Sequence, residues 1–138
     1  MRLIVCLDDA NGMLFRGRRQ SKDRALRDRI LQITEGTFLW MNGYSFRQFE
    51  QMEENIRISE SFLEEAGEDD YCFLESEDIL PYVHRVRQLI VYRWNELYPS
   101  DETFPMEHFT GVMKKHSEYA YAGNSHSVII EEIYEKEK

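Results

Sequence analysis

An unbroken apolar run near the start of the chain, Leu3-Ile4-Val5-Cys6-Leu7, stops abruptly at Asp8-Asp9-Ala10-Asn11-Gly12. A short run of this kind, bounded by turn residues, fits a strand buried on both faces; a half-exposed strand would show polar residues at alternate positions. Doubly buried strands belong to the interior of parallel sheets covered by helices on each side. In open sheets of that class, ligands bind beyond the carboxyl ends of the strands. The segment from Asp8 to Arg24 is therefore where function is expected. It is basic, with Arg16, Arg18, Arg19, Lys22 and Arg24 crowded together before a helical pattern.

The remaining chain continues an α/β alternation. Ser21 is a candidate N-cap, with Asp23 in the first turn, and Leu26, Ile30 and Ile33 recur at helical spacing over about 22–34. Gly36 ends that helix, and Thr37 to Met41 forms a second buried strand. Asn42-Gly43 turns the chain, and Ser45 is expected to cap a short helix. Asn55 to Ser59 alternates like a short strand, Glu60 to Ala66 reads as a helical turn, and Asp70 to Leu74 is another buried run. A helix is expected from Glu75 through Val86, with Pro81 tolerated near its start, followed by a strand over 87–92. Two alternating stretches flanking Ala122-Gly123-Asn124 predict an antiparallel hairpin at the end of the sheet. The 138 residues are expected to form a single domain.

Charge divides the chain. The net charge is −9, yet residues 1–30 hold eight Arg or Lys against four Asp or Glu. An acidic body repels phosphate backbones and anionic lipid, so nucleic acid and membrane partners are not expected. A basic patch on that body points to a small anion or an acidic protein surface, unless the arginines pair with the chain's own carboxylates. Guanidinium groups beside a helix start favour a phosphate or carboxylate. Cys6 and Cys72 lie in strand-like runs without a charged leader ahead of them, which fits buried thiols in a reducing cytoplasm. No segment approaches eighteen apolar residues. His84, His108, His116 and His126 share no metal-ligand spacing, so no metal site is expected and the histidines read as scattered surface or edge residues.

Four segments, taken in order, resemble dihydrofolate reductase. Leu3 to Gly12 is similar to the family's first strand and the start of its mobile active-site loop. Phe38-Leu39-Trp40-Met41-Asn42-Gly43-Tyr44-Ser45 is similar to its second strand and turn. Leu89 to Tyr92, followed by Asp101-Glu102-Thr103-Phe104-Pro105, is similar to a late strand and its sequel. Asn124-Ser125-His126-Ser127 leads into Val128 to Tyr134 as the family's last strand begins. The fold implied is a dihydrofolate-reductase-like α/β domain, with a mostly parallel central sheet, helices on both faces and a C-terminal antiparallel hairpin.

The resemblance also assigns roles. Asp23 falls where the family carries its catalytic carboxylate, which needs an apolar pocket to raise its pKa; the other reading is an exposed residue complementing the helix dipole. Asn42 and Ser45 fall where cofactor phosphate is held, with only Ser45 keeping the hydroxyl type. Arg19-Gln20 replaces the loop's Pro-Trp, and Glu75-Ser76 replaces the Gly-Gly pair that lets backbone approach the dinucleotide. Glu53 stands where the family's folate-clamping arginine is expected, and Tyr92 where a threonine supports the acid. The implied function is a divergent member without folate reductase activity. It would bind an anionic small molecule, nucleotide or pterin-like, through Arg16, Arg18, Arg19 and Lys22, with the loop as a gating element. Two alternatives stand beside it. One is an interaction module using residues 16–24 against an acidic partner or a second copy of the chain. The other is an NADPH-dependent reductase of a small heterocycle, a cofactor that Glu75-Ser76 disfavours.

Overall fold

A computed structural model describes residues 1–50 and 52–136. The opening apolar run forms β1 (Arg2–Leu7), and its alternate residues face two separate cores. Leu3, Val5 and Leu7 pack with Phe62, Cys72, Leu89, Val91, Phe104 and Phe109 on one side. Ile4 packs with Leu26, Ile30, Leu39, Phe73 and Ile90 on the other.

After β1 the chain forms a small hairpin, β2 (Gly12–Phe15) and β3 (Arg18–Arg19). Arg16 and Gly17 form its two-residue turn with φ of 52° and 73°. That is the left-handed pair a tight hairpin of matching twist requires, and glycine takes it without a side-chain clash. The basic segment is thus partly strand rather than the loop expected. Helix α1 (Arg24–Ile33) follows, then β4 (Leu39–Met41), α2 (Gly43–Phe46), β5 (Ile56–Ile58), α3 (Phe62–Glu65), β6 (Tyr71–Phe73) and β7 (Gln88–Arg93). The chain ends with β8 (Glu102–Thr103), α4 (Glu107–Thr110), β9 (Met113–Tyr121) and β10 (Ile129–Lys136).

The main sheet has seven strands in the order β5-β4-β6-β1-β7-β10-β9. Its first five are mutually parallel, while β10 runs antiparallel to both β7 and β9. β1 therefore lies at the centre, as its composition required. A second sheet, β3-β2-β8, caps the carboxyl end of β1. No helix among the described residues is long and apolar enough to cross a membrane.

Three elements differ from the sequence reading. α1 begins at Arg24 because Asp23, not Ser21, is its N-cap, accepting from the Ala25 amide at 2.8 Å and the Leu26 amide at 3.3 Å. α2 is capped by Asn42, whose Oδ1 accepts from the Ser45 amide at 2.8 Å, so Ser45 is inside the helix. The helix expected from Glu75 is only a 3₁₀ turn over Leu80–Arg85, opened by the Asp78 carboxylate accepting from the Leu80 amide. Glu75 and Glu77 are turned to other partners, described below, and so do not extend a helix toward β6.

Candidate functional site

The carboxyl end of β1 is locked by Asp8. Its buried carboxylate accepts from the amides of Gly12 at 2.7 Å, Ala10 at 2.9 Å and Tyr98 at 3.2 Å, and from Gln20 Nε2 at 3.0 Å. Burial pushes this carboxyl upward; the hydrogen bonds from Gly12, Ala10, Tyr98 and Gln20 overcome it and leave the group below its ordinary range. Gly12 leaves room for these side chains, since a Cβ there would stand 2.6 Å from Gln20 Nε2 and 2.7 Å from Asp8 Oδ2 and would make them shift.

One strand away, Arg19 and Glu75 form a bidentate ion pair, Nε to Oε2 at 2.9 Å and the second guanidinium nitrogen to Oε1 at 3.0 Å. Tyr44 completes the arrangement: its ring lies under the Arg19 guanidinium at 4.3 Å, its carbonyl accepts at 3.2 Å, and its hydroxyl accepts from the Arg19 amide at 3.0 Å. Arg19 is therefore paired internally. Among the arginines expected to grip an anion, it belongs to the alternative in which the chain's own carboxylate is the partner.

Asn42 and Ser45 are also committed to the protein. Asn42 donates through Nδ2 to Glu77 and, at 3.4 Å, to Ser76 Oγ. Ser45 is fully buried, and its Oγ has no partner among the described residues. Burial raises the Glu77 carboxyl and the Asn42 contact opposes it, with the net direction upward.

Asp23 sits at a junction between the start of α1 and the turn joining β9 to β10. Besides the two cap amides, its carboxylate accepts from the amides of Asn124 at 2.9 Å, Ser125 at 2.8 Å and His126 at 3.2 Å. Ser125 Oγ lies at 3.2 Å and His126 Nδ1 at 3.0 Å. The acid role that the resemblance implies needs this carboxyl to be raised by burial. It does push upward, but the Asn124 amide, the His126 side chain and the Ser125 and Leu26 amides outweigh it and hold the group well below the usual carboxylate range. The expected direction is thus reversed, because the surroundings are rich in N–H donors rather than apolar. Tyr92, standing where the resemblance calls for a threonine that supports the acid, donates from its hydroxyl to Glu131 Oε1 at 2.8 Å, and Arg29 clamps the same carboxylate.

His126 is not a surface histidine. Its side chain is 3 % exposed and stacks on Trp94 with centroids 4.6 Å apart. Its Nε2 meets the hydroxyls of Ser21 and Tyr98, each at 3.0 Å. His84, His108 and His116 are exposed, as expected. The Asn124 to Ser127 segment is the signal for His126 in the sequence, since metal-ligand spacing carries none.

The guanidinium groups of Arg16 and Arg18 have no carboxylate partner among the described residues, while the Arg16 amide donates to Asp101 Oδ2 at 3.0 Å. They border a groove of about 550 Å³ with Phe15, Arg19, Tyr98 and Pro99. Arg16 lies over the Phe15 ring at 5.1 Å. Lys22 is exposed and lies outside that lining. Beside it, the space enclosed by Cys6, Ser21, Glu75 and Trp94 at the end of β1 is only about 10 Å³, no more than a single water needs. A wider cavity of about 760 Å³ lies at the opposite end of the sheet, among Glu35, Phe38, Glu53, Arg57 and Asp70.

The chain matches no family model and no curated protein by sequence. Among solved structures it is similar to a dihydrofolate reductase from Enterococcus faecalis complexed with NADP(H) and RAB-propyl. The TM-score is 0.71 at 11 % identity, over 99 % of this chain and 96 % of that one. The chain has the dihydrofolate reductase fold. The dinucleotide that such a fold suggests does not fit the residues present here. A carboxylate ion-paired to Arg19 stands where the resemblance calls for bare glycine backbone, Asn42 is spent on Glu77, and the Ser45 hydroxyl is sealed from solvent.

Proposed function

We propose that this dihydrofolate-reductase-fold protein lacks folate reductase activity and binds a small anionic molecule carrying an aromatic ring, of nucleotide or pterin-like class. The observation that carries this reading is the groove bordered by Arg16 and Arg18. Two guanidiniums without carboxylate partners stand there beside the Phe15 and Tyr98 rings. Guanidinium groups bind phosphate and carboxylate through paired N–H donors, and aromatic walls accept a planar ring. Lys22, exposed nearby in sequence, adds positive field at longer range. Asp23 in this reading orders the fold around the groove, and its ionised carboxylate serves as an anchor rather than an acid.

Differential scanning fluorimetry with inorganic phosphate, adenosine monophosphate, NADPH and dihydrofolate tests it. A ligand at a hundredfold its Kd adds about 2.7 kcal/mol of stability, a shift of several degrees. The expected result is a shift with the monophosphate that disappears in Arg16→Ala/Arg18→Ala. NADPH oxidation dependent on dihydrofolate would overturn the proposal.

A further inference from the structure

β9 (Met113–Tyr121) is the last strand of the seven-stranded sheet, with β10 on one side and no strand on the other among the described residues. It is nine residues long, against three in β5 at the opposite edge. Every residue from Lys114 to Ala120 is exposed. The N–H and C=O groups of alternate residues point away from β10, so this edge is open to a further strand. Proline or lysine commonly guards such an edge. β9 contains no proline, and its lysines guard it only against strands that bring no carboxylate to meet them.

The order of its charges decides which strand fits. Lys114 and Lys115 fall in the first half of β9 and Glu118 in the second. A second β9 laid antiparallel about a two-fold axis between His116 and Ser117 sets Lys115 opposite the partner's Glu118. By symmetry it also sets Glu118 opposite the partner's Lys115. A parallel neighbour in register would set lysine against lysine. The exposed apolar side chains agree with this register. Val112 and Tyr119, 57 % and 53 % exposed, come opposite the partner's Tyr121 and the partner's Lys114.

The pairing of β9 with β10 shifts at His116, and that bulge brings Lys115 and Glu118 to 3.0 Å from each other. Both side chains remain open to solvent, so each can also meet its opposite number across the axis. The axis passes beside the bulge in both chains, so the two kinks meet each other. Elsewhere, copies with a net charge of −9 repel. β9 holds two lysines against one glutamate, and contact there is spared that repulsion.

We propose that β9 is a homodimer edge: two copies pair their β9 strands antiparallel and join their seven-stranded sheets into one continuous sheet. The edge shares no residue with the groove of Arg16 and Arg18, so this inference and the anion-binding reading fail separately.

Sedimentation velocity of the full chain at rising concentration and physiological ionic strength tests the pairing. The expected mass approaches twice 16.6 kDa. Lys115→Glu sets glutamate against the partner's Glu118, and Glu118→Lys sets lysine against the partner's Lys115. Each variant alone, with circular dichroism unchanged, raises the dimer Kd at least about tenfold. An equimolar mixture of the two variants associates as the wild type does, since each brings the charge that the other lacks. Hydrogen exchange needs no variant: in the wild-type chain the β9 amides slow as concentration rises, while those of β5 do not. A wild-type chain that stays monomeric at every concentration overturns the proposal and leaves the edge to another protein's strand. A dimer that both single variants leave intact, or variants that fail to associate when mixed, overturns it as well.

Discussion

Replacing Asp23 by alanine removes the acceptor that joins α1 to the β9–β10 turn. The loss has two parts. On the helix side, the Ala25 and Leu26 amides lose their cap, which costs about 1 kcal/mol. On the turn side, three amides of residues 124–126 and the His126 ring lose a charged acceptor in a buried setting. Hydrogen bonds to charged groups contribute about 1.5–3 kcal/mol each, though bonds sharing one carboxylate do not add in full. Together these give about 4 kcal/mol, a large share of the 5–15 kcal/mol typical of a domain. Urea unfolding followed by circular dichroism measures it: with a slope of about 2 kcal/mol/M, the midpoint falls by about 2 M. Acid adds a second readout. The folded-state pKa of Asp23 lies below its unfolded value of about 3.9. The stabilisation is therefore complete above that value and drains away as pH falls through it toward the folded one. The difference in stability between wild type and Asp23→Ala should be constant from pH 5 to 7 and shrink below about pH 4. A loss under about 1 kcal/mol at neutral pH, or a difference that grows on acidification, refutes the reasoning.

Gly123→Ala should destabilise by about 1–3 kcal/mol in the same urea assay, since its Cβ would stand 2.5 Å from the His126 carbonyl and 2.8 Å from Asp23 Oδ2. Arg19→Ala leaves the buried Glu75 carboxylate without its partner. A loss of about 2–3 kcal/mol is expected, less than for a fully buried pair because Arg19 is partly exposed, and the double variant with Glu75→Ala should recover part of it. Burial pushes the Cys72 thiol up to about 12 and the Cys6 thiol upward as well. Neither should react with a thiol reagent in the native protein at pH 8, and both should react in urea.

The sheet was legible because burial writes itself into composition. Leu3 to Leu7 had no polar member to offer solvent, so a central position followed, and the alternation on either side of Gly123 announced the final hairpin. Helix boundaries were harder, since capping depends on which side chain the fold turns toward the free amides. Ser21, Asp23, Asn42 and Ser45 all had suitable oxygens; Ser21 was drawn instead to His126, and Ser45 was enclosed. The segment from Glu75 failed as a helix because its carboxylates found Arg19 and Asn42, partners distant in sequence. Asp23 illustrates the same limit in electrostatics. Its burial was one of two readings, and the Asn124 and Ser125 amides and the His126 ring that do most to outweigh burial come from a turn about a hundred residues away. His126 is buried, contrary to the surface or edge position that its sequence suggests, because its partners, three hydroxyls and a carboxylate, come mostly from residues distant in sequence.

Arg19 and Glu75, read separately, are two departures from a reductase pattern; in three dimensions they are one. Glu75, just beyond the end of β6, brings a charge into a site where solvation is scarce, and that charge costs several kcal/mol unless a cation meets it. The cation comes from the hairpin leaving β1, and its guanidinium is held flat against Tyr44. Each side chain is stabilised in place by the other. The physical consequence is that the segment following β1 is tied down: β3 is hydrogen-bonded to β2, ion-paired to Glu75 and linked through Gln20 to Asp8. A segment bound at three points opens less readily than a free loop, because opening must break all of them together. The interior space at the end of β1 is only the size of one water. What the hairpin still offers to a ligand is its outer side, where Arg16 and Arg18 border the open groove with Tyr98. Chemistry on this scaffold is therefore to be sought outside the tethered hairpin rather than beneath it.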